Sequence, residues 1–218
     1  MKNQLLAVLL GVVPTSGVLA HDALLDQALA RPGQSSEAPS GFIVSINTIT
    51  GGRKPKVEQE TFDLKKSPNE ALAAYDDLRN MIGSDAQQTM SEAGRSIYRF
   101  RTTRASTDVK TPKGVKLDDA EKIEFVGTAE VIRDKRGQPF VSYVHLHMRH
   151  AIGSMVGRIK KLDLAYTFSP SFDGKNMLAT ETTADASIRF LFFLHRDFEL
   201  KSQWSPTDTS VVQALGAK

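Results

Sequence analysis

The chain has 218 residues, with 28 Lys and Arg against 25 Asp and Glu, a formal net charge of +3 and no cysteine. So small a charge excess argues against a nucleic-acid partner, and the missing thiols exclude disulfides, thiolate nucleophiles, cysteine-ligated zinc and a lipid anchor attached through cysteine. The length suits one domain with a sizeable core.

Residues 1–20, MKNQLLAVLLGVVPTSGVLA, have the pattern of a secretory signal peptide. Lys2 supplies a positive start, Leu5 to Val13 an apolar run, Pro14 to Ser16 a helix break, and Val18, Leu19 and Ala20 the cleavage subsites. The apolar run is about half the ~20 residues that a spanning helix needs. Cleavage after Ala20 is therefore expected, leaving a mature chain that begins at His21 and holds 27 cations against 25 acids. A domain of this size that uses no disulfide fits a bacterial periplasm better than the surroundings of a small secreted eukaryotic domain. The most apolar later stretch, Ile188 to Leu194, is too short to span a bilayer and reads as a buried strand covered on both faces.

Beyond the leader, residues 22–30 read as a short helix capped by Asp22 and ended by Arg31-Pro32-Gly33, and residues 34–40 as a linker. Phe42 to Thr48 alternate as a strand up to Gly51-Gly52, and residues 57–64 read as a second. Ser67-Pro68-Asn69-Glu70 is a capping box, and Ala71, Leu72, Ala74, Tyr75, Leu78, Met81 and Ile82 follow at helical spacing to Gly83. A long helix over 68–82 is the expectation. Ser84 with Gln87 repeats the cap pattern and Gly94 the stop, predicting a second, shorter helix. From residue 95 the period changes to two: Tyr98 and Phe100, then Phe125 to Val131, a turn at Asp134 to Gly137, Phe140 to Met148, Leu162 to Phe168, and two or three strands over 176–204. The residues from 206 form a tail.

The expected fold is α+β: a curved antiparallel sheet of about seven or eight strands on one long and one short helix, resembling helix-grip or half-barrel carriers at the level of fold alone. Residues 21–41 carry the first helix and linker, 42–205 a single domain, and 206–218 the tail.

Enzymatic motifs are absent. There is no G-x-S-x-G, S-x-x-K, H-E-x-x-H, G-x-G-x-x-G or phosphate-binding G-K-[ST] loop. Three residue groups remain. His145 and His147 lie two apart, so on a strand both could meet one Cu²⁺ or Zn²⁺, joined by the amine and ring of His21 after cleavage; the plain alternative is a polar strand face. Arg95, Arg99 and Arg101 share a face and, with Arg104, could grip phosphate or carboxylate; the alternative is cross-strand pairing with Glu124 and Glu130. Tyr98, Phe100, Phe125, Phe190 and Phe192 could wall a cavity for an acyl chain or could be ordinary core. The leading expectation is a non-catalytic periplasmic protein that binds an apolar or lipid-like ligand. A Cu/Zn-binding protein, and an envelope interaction protein such as an inhibitor or immunity factor, are the alternatives.

Overall fold

Alternating side chains dictate strands, and in a computed structural model describing residues 22–33, 40–105, 123–153, 157–190 and 194–206 the strands dominate. They are β1 (Phe42–Thr50), β2 (Lys56–Asp63), β3 (Gln87–Glu92), β4 (Arg95–Thr102), β5 (Phe125–Arg133), β6 (Pro139–Met148), β7 (Ile152–Gly153), β8 (Gly157–Pro170), β9 (Met177–Phe190) and β10 (Leu194–Ser205). Together they form one open sheet in the order β2-β1-β10-β9-β8-β6-β5-β4-β3, with β7 on β8. All of these pairings are antiparallel. The helices are α1 (Ala23–Leu29) and α2 (Leu78–Ile82).

Period two gives the sheet a packed and an open face. On the packed face Tyr98, Phe100, Ala129, Val144, Leu146, Leu164 and Tyr166 are all buried. Leu25, Ala28 and Leu29 of α1 and Leu78, Met81 and Ile82 of α2 join them in one core. Asp22 caps α1 by accepting from the Leu24 amide (2.9 Å), and its other carboxylate oxygen accepts from the Tyr98 hydroxyl (2.8 Å), which ties the helix to β4. Burial, then this bond, pushes the Tyr98 hydroxyl well above its ordinary pKa.

Three expectations need correction. No long helix runs over 68–82: Pro68–Glu70 and Tyr75–Asp77 are single 3-10 turns, and only Leu78–Ile82 is α-helical. Ser67 makes no capping bond, while Ala71 and Ala74 are extended (ψ 147° and 132°). The reason is tertiary. The buried Tyr75 hydroxyl donates to the Ala28 carbonyl (2.9 Å) and accepts from the Val141 amide (2.8 Å), and its ring meets Phe168 edge-on at 5.2 Å. These bonds fasten the segment to α1 and β6, and they outweigh a weak helix preference in a short stretch. Burial, the main cause, pushes the Tyr75 pKa up to about 12.

Nor is there a helix over 84–94, which instead holds β3, exposed along its whole length and paired with β4. Gly94 (φ 84°) turns a hairpin rather than ending a helix, a left-handed conformation that glycine adopts without steric cost. Finally, Ile188 to Leu194 is not one central strand. β9 ends at Phe190 and β10 begins at Leu194, and these two residues pair across the hairpin. Among the described residues no long helix of the helix-grip kind is formed, and the sheet has ten strands. Among the described residues no helix is long and apolar enough to cross a membrane.

The two ends of the sheet differ. At one, Arg31 donates to the Asp134 carboxylate (2.6 Å) and the Gly174 carbonyl (2.9 Å) and lies 5.9 Å from the Phe140 ring centroid, closing the β5–β6 and β8–β9 turns against the C-terminus of α1. Burial would raise the Asp134 carboxyl, but hydrogen bonds from Arg31 and from the Gln138 and Arg136 amides hold it below its ordinary value. The other end gathers the last residues of β1, β4, β6 and β9 and the first of β2, β5, β8 and β10. This end is the mouth of the sheet.

Candidate functional site

At the mouth, β4 ends at Thr102, whose hydroxyl accepts from the Arg104 amide (3.0 Å). Gly83 (φ 68°) turns the chain away at the end of α2. Arg149, just after β6, is fixed to Glu124 through its amide (2.9 Å to the carbonyl) and its guanidinium (2.8 Å to the carboxylate). A cleft of about 410 Å³ opens between these elements, lined by Asn80, Met81, Gly83, Arg101, Thr102, Thr103, Arg104, Glu124, Phe125 and Arg149. This volume falls within the range of small-molecule sites.

Met81 and Phe125, both almost wholly buried in the core, back the cleft, and three arginines give it charge. Arg149 is engaged by Glu124, whereas Arg101 and Arg104 make no ion pair among the described residues. Two guanidiniums with no acid partner among the described residues can receive a carboxylate or phosphate through forked hydrogen bonds.

The residues singled out from the sequence are only partly gathered here. Phe125 and Arg101 reach the cleft. Tyr98 and Phe100 are core: Tyr98 is bound to Asp22, and the Phe100 ring covers Gly127 opposite it on β5, where a methyl group would come within 2.2 Å of the ring. Phe190 lies at the end of β9, partly buried against the core, and Phe192 lies outside the described residues. Arg99 is exposed on the open face of β4, away from the cleft. On the same face Arg95 pairs with Glu130 (2.6 Å), the cross-strand match expected for a basic strand.

His145 and His147 do share the open face of β6. The His147 Nδ1 bonds the Asp163 carboxylate of β8 (2.5 Å), and Lys161 bridges Asp163 (3.1 Å) and Asp185 of β9. Burial would raise the Asp163 carboxyl, but the hydrogen bonds from His147 and Lys161 keep it below its ordinary value. The hydrogen bond to Asp185, then that to Asp163, raises Lys161. Asp163 and Asp185 stand directly opposite each other on neighbouring strands, so His147 and Lys161 offset a like-charge repulsion. His21 lies outside the described residues, and among those described no group of three or more His, Cys, Asp or Glu could hold a metal ion.

Sequence reasoning did not single out Met81, Asn80 or Thr103 as cleft residues. No local signal could have done so, because the end of α2 meets the end of β4 only through the tertiary fold. Comparison with protein families, with curated proteins and with solved structures finds no match.

Proposed function

We propose that the protein is a non-catalytic binding protein for an anionic amphiphile, a molecule with an apolar chain and a carboxylate or phosphate head, working after export in the periplasm. The observation that carries this reading is the pairing, in one cleft, of the apolar Met81 and Phe125 with Arg101 and Arg104, which have no acid partner among the described residues. The apolar part of the ligand gains from leaving water. The head gains charge-assisted bonds from guanidiniums that have no acid partner among the described residues. Export is supported by the leader pattern of residues 1–20.

The test is displacement of a fluorescent long-chain fatty acid from purified protein, with Arg101→Ala and Arg104→Ala measured beside the wild type. Each substitution is expected to weaken binding by about tenfold or more, the worth of a charged hydrogen bond. Binding that is absent in the wild type, or unaltered in both variants, refutes the reading.

A further inference from the structure

The mouth carries a second feature that the cleft does not use. Among the described residues, three of its acids are engaged: Glu58 pairs with Lys56 (2.5 Å), Glu124 with Arg149 (2.8 Å) and Asp197 with His195 (3.0 Å). Three of its cations have no such match. Arg53 and Lys54 in the β1–β2 turn and Arg158 at the start of β8 are exposed, with no acid partner among the described residues. Apolar groups lie among these cations: Leu194 is 40% exposed, and Phe190 and Ile152 are only partly buried. At the opposite end, acids and cations alternate within the turns, as in Asp134-Lys135-Arg136 and Asp173-Gly174-Lys175.

We propose that the mouth is a docking surface for an anionic lipid bilayer, with Arg53, Lys54 and Arg158 meeting headgroups and Leu194 entering the interface. Strand ends spaced by about 4.8 Å across neighbouring strands spread the cations over a broad edge. A small ion would need them converging on a point, and a nucleic acid would not call for apolar residues between them. A plane of negative headgroups above hydrocarbon matches both features. This surface does not rest on the cleft, since none of Arg53, Lys54 and Arg158 lines it.

The experiment is cosedimentation of the full chain with phosphatidylglycerol/phosphatidylcholine vesicles and with pure phosphatidylcholine vesicles at two salt concentrations. The wild type should bind the anionic vesicles, bind phosphatidylcholine poorly, and release as salt rises. Reversing three rim charges (Arg53→Glu, Lys54→Glu, Arg158→Glu) should lower vesicle affinity by about a hundredfold or more. The same variant should leave binding of the monomeric fatty acid unchanged, which separates this surface from the cleft. Reversing three cations at the other end (Lys65→Glu, Lys135→Glu, Lys175→Glu) should retain most of the vesicle affinity. Equal losses in the two triple variants, equal binding to phosphatidylcholine, or retention on heparin without vesicle binding would each overturn the proposal.

Discussion

Adding one methyl group at Gly127 tests whether the core over β4 to β6 is filled. Gly127 on β5 faces Phe100 on β4 directly, and a Cβ built there would lie 2.2, 2.4 and 2.7 Å from three ring carbons of Phe100. Ordinary contact begins near 3.4 Å, so the ring must withdraw by more than 1 Å. Phe100 is only 2% exposed, so the ring can move only by displacing its core neighbours. The backbone at Gly127 is not left-handed, so Gly→Ala would otherwise stabilise by about 0.4 to 1 kcal/mol through the unfolded chain. Overpacking reverses the sign and costs about 1 to 3 kcal/mol. In a protein of this size that lowers Tm by roughly 2 to 12 °C. Urea unfolding followed through Trp204, the one tryptophan of the chain, measures the loss. Phe100→Leu alone also destabilises, but in the Gly127→Ala background it should recover part of the loss, with a coupling of about 0.5 kcal/mol or more. A neutral or stabilising Gly127→Ala, or strict additivity of the pair, would show that the ring does not press on Gly127.

Other substitutions probe different terms. Tyr75→Phe removes one hydroxyl that both donates to Ala28 and accepts from Val141; the Ala28 carbonyl keeps its bond from the Arg31 amide, but the buried Val141 amide is stranded, which should cost about 1 to 3 kcal/mol by chemical denaturation. Since the folded Tyr75 pKa is raised to about 12 against 10 unfolded, its contribution is complete below pH 10 and fades as pH rises to 12. Stability measured across that window should fall more steeply in the wild type than in Tyr75→Phe. Arg31→Met leaves the Asp134 carboxylate with its backbone donors only and should cost about 2 kcal/mol. The depressed Asp134 carboxyl contributes stability above its unfolded pKa that is lost as pH falls through the carboxylate range, so the variant should show a shallower acid limb of stability against pH. Gly94→Ala meets nothing within 4 Å, so only its positive φ matters, and thermal unfolding should register about 1 kcal/mol, with Gly94→Asn milder.

The sheet was legible from the sequence where one face is buried. Tyr98 and Phe100, Ala129 and Val131, and Val144, Leu146 and Met148 alternate because the core takes every second residue. Asp22 was legible as a cap because the bond it makes is local. Two kinds of element were not. β3 has no buried face, so its residues carry no alternation, and Gly94 suits a hairpin as well as a helix stop. In 68–82 the capping signal is real but is overruled by the distant partners of Tyr75, Ala28 and Val141, which no window of sequence contains. The cleft shows the same division: Arg101 and Phe125 stood out by chemistry, whereas Asn80, Met81 and Thr103 acquire meaning only where α2 meets β4.

The position of β1 has a consequence for how the chain assembles in time. β1 pairs with β2 on one side and with β10 on the other, Phe42 lying opposite Ser205. The first hairpin of the sheet therefore has no attachment to the remaining strands until the last one arrives. Closing so long a loop is entropically costly and slow. Strands β4 to β9 can zip together hairpin by hairpin, but β1 and β2 must wait, a solvent-exposed pair too small to persist alone. A chain built this way stays incompletely folded until β10 is synthesised, and a break anywhere in β10 releases two strands besides its own.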